Sequence, residues 1–429
     1  METAVKKQKI SVMGAAFLGI GAMVGAGIFA LLGEAGVVAG SAVWLSFLIA
    51  GIIALFQGYS FAKLGTKFPS RGGTIEFLVQ SFGNGHITGV VSWLLYMAAL
   101  IVGAMVAVAF GSYASQLFFG ANASPQVAKL LSVIIVGIMA WLNLESGAAV
   151  AKVQKLIVWV VIAILGGFAF ITIRNADFTL LAPSGYPPAT DIISSVALTF
   201  FAFLGFSVVA FAAGDMENPK KELPKAMYLS LGVTTLLYVA IAIGVFGMLP
   251  LEQVIASGDT AIAEAAKPIL GNAGFVIMTI AACFSTSSAV NSQFFGATNL
   301  TGYLAQIGQF PKQFGDRVAS EGTMGTVISA LIIALFALFL DLSSIASIGS
   351  CVALIIFMMV GIGHLRITKK TGANRPLLYI GILSVLVTLV LYSYTTLLGQ
   401  PETLRLLAIL LVGAVLVDRF WRSVPLLRK

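Results

Sequence analysis

The chain has 429 residues, 59% of them hydrophobic and only 10% charged, with a mean hydropathy of +1.00. No soluble domain hides that much apolar surface, so the composition describes an integral membrane protein in a lipid bilayer. The formal charge of +8 would suit an acidic partner such as nucleic acid, but its distribution along the chain has another cause.

A window of about 19 residues marks twelve helices, at about 10–33, 37–64, 85–119, 126–145, 150–174, 189–215, 226–249, 272–305, 323–340, 343–366, 376–398 and 402–422. The third and eighth exceed the ~20 residues that a crossing needs and are expected to tilt. The basic start, Lys6, Lys7 and Lys9, runs into the first span with no small-residue cleavage site, so no cleavable signal peptide is expected. With both termini cytoplasmic, 21 of the 25 lysines and arginines fall on the inner side, leaving Lys129, Arg174, Lys267 and Arg405 outside. The positive-inside rule then orients the chain in the cytoplasmic membrane and accounts for the net charge without nucleic acid. Cys283 and Cys351 both sit in apolar segments, as free thiols do.

An enzyme at bilayer depth would need clustered His, Asp, Glu or Cys. The two histidines, His86 and His364, lie near helix ends, and no carboxylate pair falls mid-helix. No cofactor is expected. A pore would show rings of charge or a repeated carbonyl filter, and neither is legible. A secondary transporter is therefore favoured, with a channel-like or inorganic-ion pathway as the alternative.

The first helix carries "GAMVGAGIFALLG" at 21–33. Each interior glycine weakens a helix by about 1 kcal/mol relative to alanine, so this helix either packs closely through Gly21-x-x-x-Gly25 or breaks to bind something. Five helices later "TFFAFLGFSVVAFAAGDMENP" at 199–219 places Gly205 mid-span. Two breaks at corresponding places are the mark of inverted repeats, since an odd number of spans reverses the second copy. A broken helix offers N–H groups on one side and carbonyls on the other, and two such breaks suit a zwitterion. The loop "ENPKKELPKA" at 217–226 reads as a solvated connection, and "GDTAIAEAAKP" at 258–268 as an outer amphipathic cover.

"GAGIF" at 25–29, "FPSRGG" at 68–73, "ENPKKELPKA" at 217–226 and "GQFP" at 308–311 together resemble the amino acid-polyamine-organocation transporters. The likeness runs from about residue 10 to 370. It implies an all-α membrane fold of twelve helices in which residues 10–174 and 189–366 form a five-plus-five inverted repeat of the leucine-transporter type. Residues 376–422 add two helices, and 1–9 and 423–429 are cytoplasmic ends. It also implies uptake or exchange of amino acids.

By that resemblance Gly25, Ala26, Gly27 and Ile28 hold the substrate carboxylate through backbone N–H groups. Carbonyls of Phe201, Ala202 and Leu204, just before Gly205, take the ammonium, with those of Met23 and Val24 nearby. Phe201 stands where related antiporters place an aromatic gate, or is a core aromatic. Ser207 lies near where relatives handling cationic substrates carry an acid. No acid falls there, so a small neutral or weakly polar amino acid is expected.

In "FSTSSAVNS" at 284–292 the hydroxyls either bond back to the helix or build a sodium site. In sodium-coupled relatives two adjacent hydroxyls of this helix join carbonyls of the first, and the resemblance implies Ser287 and Ser288 here, with Thr286 adjacent, joining those of Gly21 and Val24. Proton-coupled relatives place a lysine in helix 5, where this chain has Val161. Lys155 lies six residues earlier, about 9 Å along the axis, as a snorkelling charge. Sodium, or uncoupled exchange, is expected in place of the proton, which stays as the alternative. Sequence does not rank the amino acids or give the oligomeric state.

Overall fold

The computed structural model describes residues 9–423 except 71, 121, 122, 146, 321 and 341, and leaves the side chains of 147–154 undescribed. The segments at 1–8 and 424–429, with Lys6, Lys7, Arg428 and Lys429, and also Arg71, lie outside the described residues. Helices account for nearly all of the rest, with one isolated β-bridge between Arg317 and Thr323. In chain order they are α1 Val12–Ala26, α2 Ile28–Ala39, α3 Val43–Lys67, α4 Thr74–Phe82, α5 His86–Phe119, α6 Pro125–Glu145 and α7 Gly147–Arg174. Next come α8 Ala189–Phe201, α9 Ser207–Phe211, α10 Pro219–Met248, α11 Leu251–Ser257, α12 Ala261–Glu264 and α13 Lys267–Gln306. The last are α14 Met324–Phe339, α15 Leu342–Arg366, α16 Thr368–Thr371, α17 Arg375–Thr395 and α18 Pro401–Ser423.

Among the described residues nine segments are long and apolar enough to cross a membrane, one of them joining α2 and α3. The remaining three of the expected twelve would fall on α1 and α14, of 15 and 16 residues, and on α18, which carries Glu402, Arg405, Asp418, Arg419 and Arg422. Local chemistry explains the ends. Ser11 caps α1 by accepting the Gly14 N–H at 3.1 Å, and Thr323 with Thr326 forms a capping box for α14.

Two expectations need correction. The first connection falls not at 33–37 but at Gly40–Ala42, where Gly40 takes φ +56°. The loop at 217–226 is mostly helix: Pro219 occupies the first turn of α10, where its missing N–H costs nothing, and Pro224 is carried inside. In α13, Gly271 (φ +59°) interrupts the helix, so the continuous run begins at 272, as the sequence indicates. The segment at 258–268 forms short turns that bury Ala261, Ile262 and Ala263.

The centre of the bundle is α1, which packs against α10, α13 and the turn between α8 and α9. Around it α3 lies along α10, and α5 along α13. Apolar side chains that face outward, such as Leu236, Phe339 and Ile409, are where lipid would lie.

The end of α18 clamps the start of α5 and the end of α13. Asp418, only 1% exposed, meets His86 Nδ1 at 2.6 Å and Arg422 Nε at 2.8 Å. Arg422 in turn donates to the Gly85 carbonyl at 2.6 Å and to Gln309 Oε1 at 3.0 Å, and Trp421 donates to the Gly308 carbonyl. Asp418→Ala leaves Arg422 without its carboxylate. Breaking a buried pair costs about 3–5 kcal/mol, and the lower end applies because the His86 side chain stays 68% exposed. The variant should melt well below the native protein in detergent. Lys267→Ala, at the solvent-facing pair with Glu264, should leave the melting temperature nearly unchanged.

Candidate functional site

The first helix does break within its glycine run. α1 ends at Ala26, Gly27 takes φ −89° and ψ −77°, and α2 starts at Ile28 with no side chain capping it. Met23, Val24, Gly25 and Ala26 form the last turn of α1, all buried. The Gly27 N–H remains inside this turn and donates to the Met23 carbonyl at 2.7 Å. The Ile28 backbone bonds the Tyr238 hydroxyl, so the donors the break can offer a ligand are those beyond it in the first turn of α2.

A residue the sequence did not reveal sits in the break. Tyr238, buried on α10, donates its hydroxyl to the Met23 carbonyl at 2.5 Å and lies 3.3 Å from that of Ala202. Phe47 and Phe203 hold the phenol ring by edge contacts at 5.3 and 5.1 Å between centroids. A Cβ on Gly27 would fall 2.1 Å from the Tyr238 hydroxyl and 2.7 Å from Ala202 Cβ. Glycine is thus required for the tyrosine to reach both carbonyls.

The second break is a tightening rather than a gap. α8 ends at Phe201, Ala202 and Phe203 leave the α-helical pattern, and Leu204, Gly205 and Phe206 form one 3-10 turn before α9 begins at Ser207. The Ser207 hydroxyl donates to the Leu204 carbonyl at 2.9 Å, so that carbonyl already has a partner. Gly205 presses on α1: a Cβ there would lie 2.6 Å from backbone atoms of Ala22 and Met23. Phe201 closes the other side, its ring edge 2.2 Å from where a Gly349 Cβ would stand on α15.

One turn along α1 from the break, Gly21 and Val24 line a cavity of about 10 Å³ with Val158, Val161, Ser285 and Ser288. That is close to the volume one water needs, about 10–15 Å³. Among the described residues the Ser288 hydroxyl, buried there, has no hydrogen-bond partner. Of the four proposed sodium ligands, Gly21, Val24 and Ser288 come together and Ser287 does not. Its hydroxyl donates to the Cys283 carbonyl at 2.6 Å, and that of Thr286 to Ala282 at 2.7 Å. Neighbours along a helix point about 100° apart, whereas residues three apart share a face, which brings in Ser285 instead. Val161 occupies the wall, and Lys155 is exposed elsewhere.

Away from the spans, the turn at Gly258–Thr260 straps α2 to α5. The Gly258 carbonyl would stand 2.8 Å from a Cβ on Gly33, and Asp259 accepts from the Ser112 hydroxyl at 2.8 Å. Burial pushes the Asp259 carboxyl above the usual carboxylate range, against the Ser112 hydrogen bond, which lowers it. No group of His, Cys, Asp and Glu able to hold a metal occurs among the described residues.

A family model described as amino acid permease matches residues 10–417. The inner membrane transport protein YbaT of Escherichia coli is 34% identical over 379 residues, 88% of each chain. The branched-chain amino acid permease BcaP of Bacillus subtilis is 26% identical over 265 residues, 58% of this chain and 56% of that one. A mitochondrial cationic amino acid transporter of Arabidopsis thaliana is 26% identical over 369 residues, 81% of this chain and 60% of that one.

Tyr238→Phe strands the carbonyls that its hydroxyl serves and should cost about 1–3 kcal/mol of stability, with slowed uptake in proteoliposomes. Thr234→Val, which removes a buried hydroxyl that has no partner among the described residues, should leave both stability and uptake intact. Gly27→Leu should abolish uptake and also lower the melting temperature, since its side chain meets Tyr238 and Ala202; unchanged uptake would remove Gly27 from the site.

Proposed function

The chain belongs to the amino acid permease family of the amino acid-polyamine-organocation superfamily, and we propose that it carries small neutral amino acids across the cytoplasmic membrane by alternating access. It is a multi-pass membrane transporter and not an enzyme. The observation that carries the proposal is the contact of two interrupted helices, Gly205 against Ala22 and Met23, with Tyr238 between their carbonyls. In this reading the N–H groups at the start of α2 take the carboxylate, and carbonyls of Phe201 and Ala202 take the ammonium. The twelve crossings, the five-plus-five inverted repeat and the cytoplasmic placing of both termini belong to the same proposal. They are supported by the positions of the two breaks and by the lysine and arginine distribution.

The relatives' names point to different substrates, branched-chain in one and cationic in another. No carboxylate lines either cavity beside the breaks among the described residues, so a lysine or arginine side chain would be buried without a counter-charge. Neutral substrates are favoured on that ground. For the coupling ion we favour sodium at Ser285, Ser288 and the Gly21 and Val24 backbone, supported by the unpartnered Ser288 hydroxyl and by valine at position 161. Uncoupled exchange is the second reading, supported by the cavity's mostly hydrocarbon lining.

Alanine, serine and valine should compete with a labelled neutral amino acid far better than arginine or polyamines in vesicles; preferential inhibition by arginine would overturn the substrate assignment. Substrate binding to the purified protein should tighten when sodium replaces choline at fixed ionic strength. Ser285→Ala with Ser288→Ala should erase that dependence and Ser287→Ala should not. An affinity that ignores sodium and follows pH would make the proton the coupling ion.

A further inference from the structure

The C-terminus of α3 and the N-termini of α10 and α17 lie on the side that the lysine and arginine distribution assigns to the cytoplasm. α3 packs against both of the other helices. Each of the three carries a base near its end and a tyrosine one turn further in: Lys63 and Tyr59 on α3, Lys225 and Tyr228 on α10, Arg375 and Tyr379 on α17. Outward-facing aliphatic side chains continue each row toward the middle of the bilayer, at Ile52, Leu236 and Leu383. Steps of three, four, seven and eight residues keep each row on one face of its helix.

The rows meet at Tyr59. Lys63 Nζ lies 5.9 Å from the centre of its ring, within reach of a cation–π contact. The Tyr59 hydroxyl accepts the Asn374 N–H at 2.7 Å, which fixes the backbone next to Arg375. Tyr228 is near enough to Tyr59 for the two phenols to interact electrostatically. Having accepted one hydrogen bond, the Tyr59 hydroxyl keeps its own proton to donate. The ion pairs found among the described residues involve none of the three bases. Glu222, the acid nearest Lys225 in sequence, turns to the start of α10, where it accepts the Asn218 N–H at 3.0 Å.

We propose that this face of α3, α10 and α17 binds an anionic phospholipid of the cytoplasmic leaflet, its phosphate held by Lys63, Lys225 and Arg375 and its acyl chains lying along Ile52, Leu236 and Leu383. Three bases without carboxylates repel one another, and a headgroup of net negative charge relieves that repulsion where a zwitterionic one does not. The tyrosines suit headgroup depth, with a hydroxyl for the phosphate and a ring for the hydrocarbon boundary. A free phosphate would meet the charges but not the hydrocarbon rows below them. The proposal goes beyond the transport reading and takes from it only that these helix ends face the cytoplasm.

The test presents the purified full-length protein with mixed micelles of equal parts phosphatidylglycerol and phosphatidylcholine, and native mass spectrometry counts the lipid retained. Phosphatidylglycerol should be retained about tenfold or more over phosphatidylcholine, since each base near a headgroup contributes about a fivefold preference. Lys63→Gln with Arg375→Gln should bring the ratio close to one, and Lys63→Arg with Arg375→Lys should preserve it. Arg317→Gln with Arg419→Gln, which removes the same charge elsewhere, should also preserve it. Equal retention of the two lipids by the native protein overturns the proposal without depending on any variant. So does an equal loss in both charge-removing variants, which would assign the preference to overall charge, and so does displacement of the lipid by excess inorganic phosphate, which would make this an anion site. Binding is read without transport, so its failure leaves the transport reading standing, and a failure to transport amino acids leaves the lipid site standing.

Discussion

The hydroxyl of Tyr238 is the contact on which the centre of this protein depends. A backbone that leaves the helical pattern inside a bilayer finds no water to satisfy its polar groups, so the protein must supply partners. Here one phenol does so for both interrupted helices, donating to the Met23 carbonyl and standing within hydrogen-bond reach of the Ala202 carbonyl. The requirement fixes its neighbours. Gly27 must lack a side chain because any Cβ would strike the hydroxyl, and the rings of Phe47 and Phe203 keep the phenol aimed at the gap.

The same economy of space runs along the rest of α1. Helices in lipid gain no hydrophobic drive from meeting one another and associate through close packing of small residues. Gly205 brings the turn between α8 and α9 onto the backbone of Ala22 and Met23, and Gly25 brings α1 onto the Ser285 carbonyl and Ala289 of α13. The two explanations open for the glycine run, close packing and a break, are thus both met, by different glycines. Gly25 serves the packing and Gly27 the break.

Long apolar runs ended by glycine, proline or charge made most helices legible. The third expected helix at 85–119 is His86–Phe119, and the tenth at 343–366 is Leu342–Arg366. The reading failed where one residue type has two uses. Proline marks loops but also suits a first helical turn, and so the charged stretch after helix 6 turned out to open α10. In the hydroxyl patch, the resemblance points to Ser287 with Ser288, and the small cavity beside α1 is lined by Ser285 with Ser288. Tyr238 carried no signal, because it lies in an apolar run 215 residues from the carbonyl it serves.

The break and the small cavity both belong to α1, a helix of 15 residues. Gly21 and Val24 line the cavity, and Met23 and Gly27 form the break within the next turn. A cation held at the first place and an amino acid held at the second would bear on one rigid rod, so each would favour the same position of that rod. Coupling then needs no long pathway through the protein, since two ligands that prefer one state of a shared element must strengthen each other by equal factors. Adjacent placement alone does not set the strength of that effect. It depends on how differently each site is formed when α1 tilts away from α13, and the glycine contacts at Gly25 and Gly205 are the surfaces that would have to part.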